Sequence, residues 1–309
     1  MQKSTHFSIF KQSVVLVITI LLFFTCKLIH AQEIIQLYTS NVPNSKVSDI
    51  KESGEGMYRN VTNPTLEYFK PNPDKASGTA IIIVPGGGYS VVVYQGEGVT
   101  NAKALAEQGI AVFVLKYRLP NDAIMQERKI GPLQDAQQAI KLVRENAEKW
   151  GLDKNKIGIM GFSAGGHLAS TTATHFEKSY IENSNNTSLR PDFQILVYPV
   201  ISMTKELTHS GSRNALIGEN PSQEDIQLFS NEMQVKANTP PAYLTHTADD
   251  KTVDVDNSIV YFQKLRHLKV DAEMHIYPKG DHGFIFRHPG WMNSLFEWMK
   301  RNDWMKKDL

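Results

Sequence analysis

A chain of 309 residues, 41% of them hydrophobic and 21% charged, has enough core for one large α/β domain or two small ones. Its formal net charge of +1 gives no broad electrostatic basis for a nucleic-acid partner or an acidic surface. The single cysteine, Cys26, stands without C-x-x-C or Cys/His spacing, which argues against a zinc site, and no metal or other cofactor is expected.

The N-terminus reads as a targeting segment. Lys3 and Lys11 make a basic start, and Val14–Phe24 is an apolar run too short to span a bilayer comfortably. Ile29-His30-Ala31 then offers a small residue for cleavage. The expectation is a signal peptide over 1–31, removed after Ala31, and a periplasmic or secreted protein with no stable membrane association. The alternatives are an anchor that is retained, or lipidation at Cys26, for which Phe23-Phe24-Thr25 is a poor lead-in. A chain starting at Gln32 carries no cysteine and relies on its core rather than on disulfides.

Residues 32–309 are read as one domain. Ile34–Tyr38 and Leu66–Phe69 predict an edge strand or two in a turn-rich lead holding Pro43, Pro64, Pro71 and Pro73. Thr79–Val84 is a continuous apolar strand of the kind buried on both faces, and it runs into Pro85-Gly86-Gly87-Gly88-Tyr89. Val99–Gln108 predicts a helix capped by Gly109, and Ile110–Tyr117 another buried strand. Gly131–Trp150 has the helical period, with Leu133, Ala136, Ala139, Ile140, Val143 and Ala147 on one face. Ile157–Met160 is a strand leading to Gly161-Phe162-Ser163-Ala164-Gly165 and a small-residue helix.

Phe193–Tyr198 is the next strand. Residues 203–236 lack strand signals but hold helix fragments, with Ser222 and Asp225 spaced as a capping box. This stretch is expected to form a small helical cap over the strand ends. Ala242–His246 is a strand ending near Asp249-Asp250, and Val255–Leu268 is a helix. Ala272–Tyr277 is the last strand, before the loop Pro278–Phe284, and Trp291–Trp304 is a terminal helix. Strands alternating with helices predict a mostly parallel, doubly wound sheet with helices on both faces. In such sheets the chemistry gathers at the carboxyl ends of the strands. The glycine loop, Ser163, the Asp249/Asp250 loop and the His282 loop all follow strands.

G-x-S-x-G between a strand and a helix holds its serine on a sharp, exposed turn, so Ser163 is read as a nucleophile. A serine hydroxyl needs a base, usually histidine, oriented by a carboxylate. His282, in a Gly-flanked loop after the last strand, has the expected context. His167 is read as packing or capping locally, and His246 and His275 as strand residues of the core or a face. His175, His209, His267 and His288 lack a matching partner. Asp250, four residues after His246 and three before Val253, is the leading acid, with Asp249 the alternative. The main-chain N–H groups of Gly87, Gly88 and Ala164 are the candidate oxyanion hole.

The motifs I-I-I-V-P-G-G-G-Y, F-V-L-K-Y-R-L, P-L-Q-D-A-Q-Q-A-I, I-G-I-M-G-F-S-A-G-G-H-L-A and Y-P-K-G-D-H-G-F run from Ala80 to Phe284. Together they resemble α/β-hydrolase-fold carbohydrate esterases of the bacterial acetylxylan-esterase-like and feruloyl-esterase-like group. The resemblance implies an α/β-hydrolase fold, Ser163, Asp250 and His282 as a triad, and the Gly86–Gly88 loop as oxyanion hole. It also implies a small acyl group such as acetate on a sugar, hence an acetylated carbohydrate as partner. Tyr89 and Tyr94, beside the glycine loop, are candidates to stack on a sugar ring, with plain packing the competing reading. Two departures stand out: Pro85 where many lipase and esterase relatives have His, and Asp254 where many have Pro. The competing functions are a feruloyl or general carboxylesterase and, outside the enzymes, a carbohydrate-binding protein of the same fold.

Overall fold

The computed structural model describes residues 33–307. The expected signal segment, its cleavage position and Cys26 lie outside the described residues. Eight strands form one sheet: β1 (Glu33–Gln36), β2 (Thr65–Phe69), β3 (Ala80–Val84), β4 (Ala111–Lys116), β5 (Ile157–Phe162), β6 (Gln194–Val197), β7 (Ala242–Thr247) and β8 (Ala272–Tyr277). Their order is β1-β2-β4-β3-β5-β6-β7-β8. β1 and β2 run antiparallel at one edge, and every pairing from β4 to β8 is parallel.

Between the strands lie α1 (Thr100–Glu107), α2 (Gly131–Glu145), α3 (Ala164–Thr174), α4 (Ser210–Ile217), α5 (Gln223–Phe229), α6 (Asp256–His267) and α7 (Asn293–Arg301). Every residue of β3, β5, β6 and β7 is buried, so both faces of the central sheet are covered, as the continuous apolar runs require. Ile81, Ile82 and Ile83 are fully buried, and each such side chain contributes about 1.5–3 kcal/mol of transfer free energy.

The chain leaves β3 for β4 on one side and returns to β5 on the other, so the sheet changes winding direction between β3 and β5. Ligands bind at such a switch point, beyond the carboxyl ends of the strands. The register pairs Val84 with Gly161, which puts Pro85 beside Phe162 and Gly86 beside Ser163. On the other side, Thr247 pairs with Tyr277, bringing the loops after β7 and β8 together.

Two elements depart from the sequence reading. α1 is preceded by a π-helical turn over Tyr94–Val99, and the helix after Gly131 ends at Glu145, with a 3-10 turn completing Ala147–Trp150. α4 and α5, with a 3-10 turn over Asn231–Met233, make the expected helical insertion between β6 and β7. Ser222 caps α5, its Oγ accepting the Asp225 N–H at 3.1 Å.

Candidate active site

Ser163 joins β5 to α3 at φ 52° and ψ −120°, a left-handed backbone that a non-glycine residue holds only under constraint. The constraint is close packing. A Cβ on Gly165 would stand 2.2 Å from the Val84 carbonyl oxygen, so only glycine lets α3 approach β3 this closely. The turn is further fixed by the Ser163 N–H, which donates to the Val197 carbonyl, and by the Ser163 carbonyl, which accepts from His167 and Val200.

His282 reaches back from the loop after β8, its Nε2 3.0 Å from Ser163 Oγ. Its Nδ1 lies 2.8 Å from Asp250 Oδ2. Asp250 accepts four hydrogen bonds. Oδ2 takes His282 and also His246 Nε2 at 3.1 Å, while Oδ1 takes the N–H groups of Thr252 at 2.8 Å and Val253 at 2.9 Å. Burial alone would raise the Asp250 pKa, but the bonds from His246, His282 and Val253 outweigh it and hold the group well below the usual carboxylate range. An ionised Asp250 only accepts, so His282 carries its proton on Nδ1 and presents Nε2 as an acceptor to the Ser163 hydroxyl. The arrangement can take a proton from Ser163 and stabilise the imidazolium that results.

Asp249 has a different task. Its Oδ1 accepts the Asp281 N–H at 2.8 Å, and Asp281 Oδ1 in turn accepts the N–H groups of His282 at 2.8 Å and Lys251 at 3.0 Å. It organises the loop that carries the imidazole without touching the ring. Asp254, the departure noted in the sequence, accepts the Asp256 N–H at the start of α6 and leaves Asp250 free to face His282.

The glycine loop after β3 is folded back on itself. The Gly87 carbonyl accepts from Ser90 and Val91, and the Gly86 carbonyl from Val93. Gly87 sits at φ 122°, and a Cβ there would lie 2.1 Å from the Val91 carbonyl oxygen. Among the described residues the N–H groups of Gly87, Gly88 and Ala164 have no hydrogen-bond partner. Pro85, standing where relatives carry His, accepts the Tyr117 hydroxyl on its carbonyl at 2.8 Å.

Tyr89 and Tyr94 are corrected as sugar-stacking candidates. Tyr89 is 2% exposed, and its hydroxyl lies 2.9 Å from His167 Nδ1. Tyr94 is also buried, donating to Glu67 at 2.8 Å. Both rings belong to the interior. His167 is buried as well, with Nε2 2.7 Å from the Phe229 carbonyl. That carbonyl can only accept, so His167 is protonated on Nε2 and accepts the Tyr89 hydroxyl on Nδ1. Burial lowers its pKa to about 4 and keeps it neutral.

Four residues near Ser163, Asp250 and His282 carried no role in the sequence reading. Glu97, on the π-helical turn, accepts the Gly86 N–H at 2.6 Å and the Tyr198 hydroxyl at 3.1 Å. Burial raises its pKa to about 6, against the opposing effects of those two donors and of His282. Tyr198, at φ 37°, stands with its ring 4.6 Å from that of His282. His246 is the second imidazole on Asp250, and its H-x-x-x-D spacing was the one signal available. His209, from the insertion, comes close to Gly88. His175 and His288 bond carbonyls elsewhere, and His275 pairs with Glu273.

The chain matches the BD-FAE family over residues 66–265. It is 38% identical over 245 residues to an acetylxylan esterase of Xylanibacter ruminicola, an alignment covering 76% of this chain and 48% of that protein. It is 36% identical over 245 residues to endo-1,4-beta-xylanase B of Butyrivibrio fibrisolvens, covering 76% of this chain and 38% of the relative. The chain thus spans about half or less of the length of these two relatives. The crystal structure of an acetyl ester-xyloside bifunctional hydrolase from Caldicellulosiruptor lactoaceticus is similar at a TM-score of 0.75 and 33% identity, over 90% of this chain and 99% of that one. With the family matched over most of the chain and the α/β-hydrolase fold shared almost end to end, the chain belongs to the BD-FAE family.

Proposed function

We propose that this protein is an exported serine esterase that removes acetyl groups from xylan-type polysaccharide or its oligomers. The observation that carries this reading is the relay Ser163 Oγ–His282–Asp250, at 3.0 and 2.8 Å, beside three unpartnered main-chain N–H groups. The two xylan-active relatives and the acetyl ester-xyloside hydrolase support acetate as the acyl group and a xylose-based alcohol.

Ser163 Oγ attacks the ester carbonyl carbon while its proton passes to His282 Nε2. Asp250 holds the ring and stabilises the imidazolium. The carbonyl oxygen, now negative, is met by the N–H groups of Gly87, Gly88 and Ala164, each contributing on the order of 3 kcal/mol to the transition state. Collapse breaks the bond to the sugar oxygen, which leaves with the proton from His282. Water then repeats the sequence on the acetyl-enzyme, releasing acetate and restoring Ser163.

The test is acetate release from acetylated xylan by the wild type and by Ser163→Ala. The wild type should release acetate and the variant at least about 1,000-fold less. Equal release by both would remove Ser163 from the mechanism. A wild type that cleaves aryl acetates and feruloyl esters but not acetylated xylan would transfer the protein to the feruloyl or general carboxylesterases. Export rests on the basic start and apolar run of residues 1–31. N-terminal sequencing of protein recovered outside the inner membrane should begin at Gln32, and recovery only from cytoplasm with Met1 intact would overturn it.

A further inference from the structure

His209 immediately precedes α4, in the insertion, and two facts fix the state of its ring. Its Nδ1 accepts the Ser212 backbone N–H at 3.2 Å, with Ser212 Oγ at 2.8 Å from the same atom. A nitrogen that accepts from a backbone donor carries no proton, so in the neutral ring the proton is on Nε2. The ring is neutral because burial disfavours its charge, and a charge on His282 disfavours it further, with Asp250 opposing. Among the described residues Nε2 has no partner. That N–H is not among the buried polar atoms left without a partner, so it is open to water or to an acceptor on a ligand.

The ring's position says what can satisfy it. A Cβ built on Gly88 would meet His209 Cε1 at 3.8 Å, the only atom within 4 Å. The imidazole therefore borders the glycine loop on the side where Gly88 has no side chain, and it is close enough to His282 to feel its charge. An acetylated sugar in this site has few polar atoms left to receive a donor. The carbonyl oxygen is already served by three main-chain N–H groups, and the acetyl methyl has none to offer. What remains are the ester's alkoxy oxygen, the ring and glycosidic oxygens, and the free hydroxyls next to the esterified carbon, and of these the hydroxyls are what distinguish a polyol ester from an ester of a plain alcohol.

We propose that His209 Nε2–H is a substrate-positioning donor to a hydroxyl oxygen vicinal to the scissile ester, so that the site selects esters of polyols and sugars over esters of plain alcohols. The inference deepens the carbohydrate-esterase reading and rests on it for the placement of the ester at Ser163. It does not need xylan as the natural substrate.

The test compares kcat/KM for glycerol 1-monoacetate and propyl acetate, which differ only in their hydroxyls, in the wild type, His209→Asn and His209→Ala. Asparagine keeps the cap, because its Oδ1 can accept the Ser212 N–H, but lacks a group reaching as far as Nε2. Alanine loses both. The wild type should prefer the monoacetate, and both variants should lose about tenfold of that preference, with the melting temperature lowered only in the alanine variant. A preference retained in His209→Asn but lost in His209→Ala would make His209 a cap and nothing more. Equal losses on the two esters would place its donor on the oxyanion instead. A wild type with no preference would also overturn the proposal. Failure on acetylated xylan with the monoacetate preference intact would count against the proposed function alone.

Discussion

Asp250 accepts from two imidazoles and two backbone N–H groups, and the identity of each donor decides what a replacement does. In Asp250→Asn one of the amide's atoms becomes a donor. If the amide nitrogen faces His246 and His282, it opposes two N–H groups, and if it faces the loop, it opposes Thr252 and Val253. In the first case His282 loses the acceptor that sets its tautomer, and in the second it keeps a neutral oxygen but no charge to stabilise its imidazolium, so kcat should fall, by up to about 10,000-fold. Asp249→Asn retains an oxygen for the Asp281 N–H and should stay within a few-fold of wild type. Steady-state hydrolysis of one acetate ester by both variants separates the adjacent acids, and a larger loss in Asp249→Asn would reverse the assignment.

Glu97 gives the residue scale a pH dependence of definite sign. Its pKa rises from 4.5 to about 6 on folding because burial disfavours the charge. The native state therefore binds an extra proton between those values. That contribution to stability is complete below pH 4.5 and is lost as pH rises through 6, about 2 kcal/mol in all. Glu97→Gln has no proton to bind. Wild-type stability minus that of the variant, from urea unfolding, should drop by about 2 kcal/mol between pH 4 and pH 7. A difference that grew with pH would mean that the fold prefers the ionised group, contrary to its desolvated place behind Gly86.

At the scale of elements, the alternation of buried strands with periodic helices was legible, because parallel strands covered on both faces must be continuously apolar. So was the elbow, since its glycines and its serine are local requirements of one turn. The π-helical turn was not. Tyr94–Val99 contains Gly96 and Gly98, poor helix formers, and its shape is set from outside by Glu67, Gly86 and Tyr198. Tyr89 misled for a related reason. It follows the glycine loop in sequence, but the partners that draw its ring inward, Tyr117 and His167, come from elements far along the chain.

The motifs around Arg118 and Asp135 acquire a structural meaning at the same scale. Arg118 follows β4 and Asp135 lies on α2. They form a pair at 2.7 Å with side chains only 1% and 0% exposed, and Tyr38 donates to the same carboxylate at 2.9 Å. Arg118 also holds the Pro43 carbonyl, so the pair ties the leading segment to a strand and a helix. Asp135→Asn would leave a buried guanidinium without its counter-charge, at a loss of about 3–5 kcal/mol. For a chain of this size that lowers the melting temperature by on the order of 10 °C. Thermal unfolding followed by circular dichroism would read it, and an unchanged midpoint would show that water or relaxation compensates Arg118.

For the molecule as a whole, the strand order does what no single motif could. The Ser163 elbow and the glycine loop follow β5 and β3, neighbours at the point where winding reverses, while Asp250 and His282 follow β7 and β8, paired in register. The insertion joins the same hydrophobic core through Met203, Leu216, Ile217 and Phe229, and it is bound to α3 by His167 Nε2 on the Phe229 carbonyl. It should therefore not open independently of the sheet. Phe229 is 1% exposed, so Phe229→Ala should reduce stability by about 3–5 kcal/mol. If insertion and sheet unfold together, the urea midpoints for far-ultraviolet dichroism and for ester hydrolysis should fall by the same amount. Activity lost at lower urea than the dichroism, in the variant alone, would instead make the insertion a separately melting lid whose Phe229 anchor is its latch.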